Sequence, residues 1–500
     1  MSDLILAVDQ GSSSTRAVVY DSDLHPLASA SRPLGTAHPQ PGWVEQDPGE
    51  ILASVVDTVA EVLGSVDARR ISAAGIDNQG ETVVAWDAET GKALAPAVSW
   101  QCNRSAEIVR RLRCAGHEAA VRRSTGLRLD PYFSAGKMSW LLEHVPAVAD
   151  ARLRGTLRLG TVDAWLTAHL AGAPLTDPST ASRTQLFDLD AAAWSPELAA
   201  LFDVPLGSLP RVVDSAGELG RLRHPAWGDV ELPLAALACD QQAALAGHAA
   251  FGAGAMKATY GTGVFVLATA GTVRPRPDER LLTTIAWRLA GQTTYAVDGG
   301  VFSAGTLLDW LVRLGLLDDA SSSDPLARGV DGAANVRLLP ALNGLGAPWW
   351  RPDAAAVVAG LTLGTRPGHI VRAALDGIAQ RTADIVETML EATDASESPE
   401  ALRVDGGLSA NGYLMQRQAD LLGLPVDVAS VSDTTALGIA GLAGMGAGSI
   451  GPEVIAAANP TARRIQPALD ASARRRERAG WREFVAWASL PGGDGERREA

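Results

Sequence analysis

The chain carries the same local pattern twice, once at its start and once just past its middle, and this repetition narrows the architectures open to it. Leu4 to Val8 is an apolar run ending in Asp9-Gln10-Gly11; Ser12, Ser13, Ser14 and Thr15 follow, then Arg16-Ala17-Val18-Val19-Tyr20. Met256 to Ala268 reads MKATYGTGVFVLA, with Gly261-Thr262-Gly263 between two β-rich segments. Both have the chemistry of strand, tight turn, strand. Asp47-Pro48-Gly49-Glu50 then opens an apolar-periodic segment from Ile51 to Leu63, which predicts a helix with a capped start. Ile71 to Ile76, Thr82 to Trp86, Thr283 to Trp287 and Thr293 to Val297 read as further strands, Arg403-Val404-Asp405-Gly406-Gly407 ends another short one, and Ile370 to Leu390 reads as a long helix. Strands interleaved with helices make the chain α/β.

A chain of 500 residues exceeds one ordinary core, so two domains with a cleft between them are expected. The Gly/Ala-rich stretch Gly247 to Gly254 marks the boundary, giving domains 1–247 and 248–490 and a polar, frayed tail at 491–500. A net charge of −14 speaks against a nucleic-acid partner, whose phosphates need a concentrated basic surface. No run reaches the roughly 20 apolar residues of a membrane span, and the N-terminal residues do not read as a signal peptide. Cys102, Cys114 and Cys239 have no metal-ligand or CxxC spacing and read as small buried hydrophobes in a reducing compartment. The expected location is the cytoplasm, with no nucleic acid and no membrane as partner.

The first turn combines a carboxylate, a permissive Gly, hydroxyls and a cation. Its backbone N–H groups with Ser12, Ser13, Ser14 and Arg16 can hold the terminal phosphates of a nucleotide, and Asp9 can hold Mg²⁺ through oxygen or water. Alone it is equally an ordinary polar hairpin, but two such turns facing one cleft would clamp a triphosphate from both sides. No GxxxxGK[ST] run occurs, which excludes a P-loop, and the GxGxxG match at Gly446, Gly448 and Gly451 follows a helical pattern, so it reads as a helix end with small-residue packing. Asp240 follows the apolar run Leu232 to Ala238, placed either to take a proton from an attacking hydroxyl or to cap a helix.

DQGSSSTRA, PGWVEQDP, NQGETVVAWD, WQCNR, GLRLDPYFSAGK, GTVDAWL, ASRTQLFDL, CDQQAAL, YGTGVFVL, LLTTIA, GLGAPWW and RVDGGLSANGYLMQ together resemble the FGGY carbohydrate kinases, and among them the glycerol kinases, in register from Leu4 to about residue 490. The resemblance implies two ribonuclease-H-like domains of the actin/hexokinase type flanking a central cleft. It also implies ATP-dependent phosphorylation of a small polyol, glycerol to glycerol 3-phosphate, with ATP and Mg²⁺ and a homodimer or homotetramer. Asp240 matches the catalytic base, and Asp9 with Asp240 the Mg²⁺-associated carboxylates. Glu81, Tyr132, Asp240 and Gln241 match positions that bind the polyol hydroxyls, and Trp100 and Phe265 the apolar wall beside its carbons. Ser12, Ser13, Arg16, Gly261 and Thr262 match phosphate contacts, and Gly305, Asp309, Gly407 and Asn411 positions around the rest of the nucleotide.

Three departures qualify that resemblance. Glycerol kinases carry an Arg where this chain has Gly80, which removes charge-assisted donors; water or another side chain fills the space, or the substrate is a larger polyol or a ketose. Asp309 stands where an amide is common. The segment His224 to Asp229 lacks the Gly-rich, Arg-bearing loop with which some bacterial relatives bind a sugar bisphosphate. A nucleotide-driven scaffold of the actin type is a rival reading, disfavoured because it has no need for Trp100, Glu81 and Tyr132 beside Asp240.

Overall fold

The computed structural model describes residues 3–276, 278–392 and 399–489. The frayed tail expected at 491–500 lies outside the described residues. Thirteen strands form one long sheet. In chain order they are β1 (Leu4–Gln10), β2 (Ser14–Tyr20), β3 (Pro26–Pro33), β4 (Ile71–Asn78), β5 (Ala216–Leu222), β6 (Leu232–Cys239), β7 (Met256–Tyr260), β8 (Val264–Gly271), β9 (Leu282–Leu289), β10 (Gln292–Val301), β11 (Leu402–Asp405), β12 (Val426–Ala429) and β13 (Thr461–Ile465).

The duplication seen in the sequence is a duplication of topology. In the first half β3, β2 and β1 are antiparallel neighbours, and β4 and then β6 extend the sheet parallel to β1. In the second half β10, β8 and β7 repeat the antiparallel trio, and β11 and then β12 repeat the parallel pair. This is the ribonuclease-H-like order, twice. The halves join where Ala216 of β5 lies opposite Leu289 of β9. Parallel strands buried on both faces demand near-continuous apolar sequence, and Leu4 to Val8 supplies it.

Helix α1 (Pro48–Leu63) starts as its sequence predicts, with Asp47 accepting from the Gly49 N–H at 2.7 Å and Pro48 in the first turn. Ile51, Val55, Val59 and Val62 turn inward on one stripe. Four further helices matter for the site: α2 (Asp240–Gly247), α3 (Gly305–Arg313), α4 (Pro367–Ala392) and α5 (Thr434–Gly446).

Helices α2 and α5 cross at the junction of the halves with almost no side chain between them. A Cβ on Gly247 would lie 2.0 Å from the Thr434 carbonyl oxygen, and one on Gly438 1.8 Å from that of Ala243. Alanines dominate the surrounding core, with Ala235, Ala243, Ala246, Ala436, Ala440 and Ala443 packed there. Gly446, the last residue of α5, sits where a Cβ would be 2.3 Å from the Ala235 oxygen, and Gly448 has φ +69°. The GxGxxG match is thus a helix end with close backbone packing, as its position implies.

Two expectations change. Thr82 to Trp86 is a strand, but Val83–Asp87 belongs to a separate four-stranded sheet with Glu45–Gln46, Ala97–Val98 and Leu157–Thr161. Its Val83 and Ala85 face a second core with Val98, Met138 and Leu159, a partition that alternation within the segment does not reveal. Cys114 is exposed, because it ends the short helix Ala106–Cys114, whose last turn faces solvent.

Candidate active site

Strands β1, β4 and β6 run parallel and end together, so their last residues share one edge. Gln10 lies opposite Asn78 and Asn78 opposite Cys239, which brings the Asp9 turn, the Gln79–Glu81 turn and Asp240 side by side. Gln79 ties the first two together, donating through Nε2 to Gln10 Oε1 at 3.2 Å and Gln46 Oε1 at 2.9 Å. Asp240 does not cap α2; Cys239 holds that position. Its Oδ1 instead accepts from the Gln241 N–H at 2.6 Å and faces Cys239 Sγ at 3.4 Å. Burial raises the Asp240 carboxyl above its ordinary range, with those hydrogen bonds and Lys257 acting against the rise.

Glu81 adopts a left-handed conformation, φ 61°. That is an uncommon state for a side chain with a Cβ and one concentrated at functional turns. It directs a buried carboxylate to Arg183, whose Nε donates to Glu81 Oε1 at 2.6 Å while its Nη1 reaches Asp298 Oδ2 on β10 at 2.7 Å. The guanidinium also lies 5.7 Å from the Tyr132 ring centre. Tyr132 meets Trp100 edge-on at 5.7 Å, and the Trp100 indole donates to Ser12 Oγ at 2.8 Å. Gln241 Oε1 accepts from the buried Lys257 ammonium on β7 at 2.6 Å. Ser12, Trp100, Tyr132 and Glu81 are thus linked in one chain of contacts through Arg183, and Asp240 and Gln241 form a second group with Lys257 at the neighbouring strand end. Arg183 and Lys257 were missed by sequence reasoning; Arg183 stands inside ASRTQLFDL, but nothing there marks it as the partner of two carboxylates.

Position 80 explains itself. A Cβ there would fall 2.7 Å from Cys239 Sγ, with Arg183 Cγ at 4.0 Å. Another side chain, the Cys239 thiol, fills the space at Gly80. The reading of Cys239 as a plain core residue is therefore incomplete, since it is buried but borders the site.

The second hairpin closes on α3. The Gly305 N–H donates to the Gly261 carbonyl at 3.0 Å and the Thr306 N–H to that of Thr262 at 3.2 Å. A Cβ on Gly305 would sit 2.7 Å from the Gly261 oxygen. Asp309 is one turn further along α3 and exposed. Gly406 (φ +85°) packs on the Tyr260 backbone, leaving Gly407 open. Asn411 is committed to structure, accepting from the Leu414 N–H at 2.8 Å and donating to Ser323 Oγ at 3.0 Å. Phe265 lies over Gly263 and Gly300. In the first hairpin Ser13 and Ser14 use their carbonyls to accept from Leu34 and Gly11 at 2.9 and 3.0 Å. Arg16 reaches across the halves to Asp433, Nη1 to Oδ2 at 2.7 Å.

Asp9 is raised to about 7, first by burial and then by Asp433, with a smaller push from Asp240. Clustered carboxyl groups that resist ionisation in an oxygen-lined site suit a hard divalent cation. Asp9 and Asp240 are the residues that would hold it.

The family model for the N-terminal domain of the FGGY carbohydrate kinases matches residues 4–247, and the model for the C-terminal domain matches residues 256–447. The chain belongs to the FGGY family of carbohydrate kinases. It is an enzyme that phosphorylates an alcohol group. A glycerol kinase of Aromatoleum aromaticum is 46% identical over 96% of this chain and 98% of its own. One from Stenotrophomonas maltophilia is 44% identical over 96% of this chain and 97% of its own. The crystal structure of Plasmodium falciparum glycerol kinase with ADP superposes with a TM-score of 0.93 at 30% identity, covering 98% of this chain and 99% of that one. No described helix is long and apolar enough to cross a membrane.

Proposed function

We propose that this FGGY kinase transfers the terminal phosphoryl group of ATP to glycerol, giving glycerol 3-phosphate. The observation that carries the reading is the continuous surface from Trp100 through Tyr132 and Arg183 to Glu81 beside Asp240. It offers an apolar wall opposite a row of hydrogen-bonding groups, the two sides a short polyol presents. Identity of 44–46% with glycerol kinases along nearly the whole chain supports glycerol over a larger polyol or ketose.

In this reading Glu81, Tyr132 and Gln241 hold the hydroxyls, with Arg183 fixing Glu81 and Lys257 fixing the Gln241 amide. The Asp240 carboxylate takes the proton as the substrate oxygen bonds to the γ-phosphorus and the bond from that phosphorus to the bridging oxygen breaks, releasing ADP. The turns Gly11–Ser13 and Gly261–Gly263 grip the phosphates from opposite halves, and Arg16 exchanges Asp433 for phosphate. Gly305, Asp309, Gly407 and Asn411 flank the rest of the nucleotide. Mg²⁺ held by Asp9 and Asp240 would neutralise charge on the phosphates. The domains divide at 247/248, the location is cytoplasmic, and the assembly is a homodimer or homotetramer.

The test is ADP release across three- to five-carbon polyols and ketoses. Glycerol is expected to give the highest kcat/KM; turnover of a pentulose with glycerol at background would overturn the substrate assignment.

A further inference from the structure

Lys137 has no task in the scheme above. It is the fourth residue of the helix Ser134–His144, and it is 0% exposed. Helical side chains lean toward the N-terminus of their helix, and the Lys137 ammonium folds back past the first turn. There it donates to the main-chain carbonyl oxygens of Tyr132 and, at 3.3 Å, of Phe133. Two general effects oppose this placement: burying an ammonium is costly, and a cation at a helix start faces the positive end of the peptide dipoles. Burial lowers the Lys137 ammonium to about 8, while Glu81, Cys102 and Asp130, the groups that face it, act the other way. Behind them Arg104 donates to Cys102 Sγ at 3.0 Å and Arg183 to Glu81 Oε1 at 2.6 Å.

The same helix start fastens the neighbouring segments of the site. Ser134 Oγ donates to the Glu81 carbonyl at 3.1 Å, and the Ala135 N–H to that of Thr184, next to Arg183, at 2.8 Å. Those bonds join neutral groups. The grip on Tyr132 depends on charge, because a charge-assisted hydrogen bond is about twice as strong as a neutral one. We propose that Lys137 is a positioning residue for the polyol: its ammonium fixes the Tyr132 main chain, and with it the ring that meets Trp100 and Arg183. The inference rests on the assignment of Tyr132 to the polyol hydroxyls. Loss of the Lys137 proton weakens the grip, so polyol affinity falls as the pH rises past about 8, and by linkage a bound polyol holds that proton more tightly. The hairpins that grip the phosphates lie on other segments, so nucleotide affinity does not follow this titration.

The experiment measures KM for glycerol and KM for ATP from about pH 7 to about pH 9.5, by ADP release. It compares the parent with Lys137→Arg, whose cation does not titrate in this range, and Lys137→Met, which has no cation. In the parent KM for glycerol should rise about 5-fold or more across the range while KM for ATP stays within about 2-fold. In Lys137→Met it should be raised already at the lowest pH and stay level, and in Lys137→Arg it should stay level. A parent KM for glycerol that does not move, or moves no more than that for ATP, overturns the inference, and this result needs no variant to fold. Persistence of the parent's rise in either variant overturns it as well. Absence of glycerol turnover by the parent at every pH would instead defeat the substrate assignment, and the inference with it.

Discussion

Arg183 and Glu81 form a buried ion pair at 2.6 Å, and the same guanidinium holds Asp298 of the other half at 2.7 Å. One side chain therefore fixes the buried Glu81 carboxylate and links the two halves.

Arg183→Gln leaves Glu81 and Asp298 buried without their cation. Loss of one partner of a buried pair costs about 3–5 kcal/mol, so denaturant unfolding should show a drop of that order. Arg183→Lys should fall between, since an ammonium cannot serve both carboxylates with a planar fork. In the Lys variant KM for glycerol should rise more than KM for ATP.

Gly80 and Cys239 are expected to behave as a coupled pair. Gly80→Ala places a Cβ against Cys239 Sγ, and overpacking of this kind costs about 1–3 kcal/mol. Adding Cys239→Gly should return most of it, so the double-mutant cycle should give a clearly non-zero coupling. Additive losses would show that the two do not share the space.

The paired hairpins, the α1 cap and several of the apolar strands were legible in the sequence, because each is set by local pattern. Residues identified by motif, such as Trp100, Tyr132, Glu81 and Asp240, also fall on one surface. What was not legible is what depends on pairing between distant segments. Arg183 meets Asp298 over 115 positions, Cys239 fills the space beside Gly80, and Asp77 faces Asp9 only because β4 lies next to β1. Val83–Asp87 has the composition of a central strand yet joins the smaller sheet, a choice made by its neighbours Glu45–Gln46, Ala97–Val98 and Leu157–Thr161.

Asp163 gives a pH dependence independent of the site. Burial raises it to about 7, against hydrogen bonds from Thr161 and Thr176 that lower it. A carboxyl whose folded pKa exceeds its unfolded value holds its proton more tightly in the folded state. Its contribution to stability is full below about pH 4 and is lost as the pH climbs through about 7. Asp163→Asn removes this loss, so its stability relative to the parent should improve by about 1–4 kcal/mol between pH 4 and pH 8. Parallel pH profiles of the two proteins would refute the assignment.

The central claim is that the carboxylate of Asp240 removes the proton from the attacking hydroxyl. The direct measurement is steady-state, glycerol-dependent ADP release by Asp240→Asn, alongside ATP binding by the same variant. Turnover should fall about 10²-fold or more while ATP affinity stays within a few-fold. Turnover equal to the parent's, with ATP bound normally, would contradict the account.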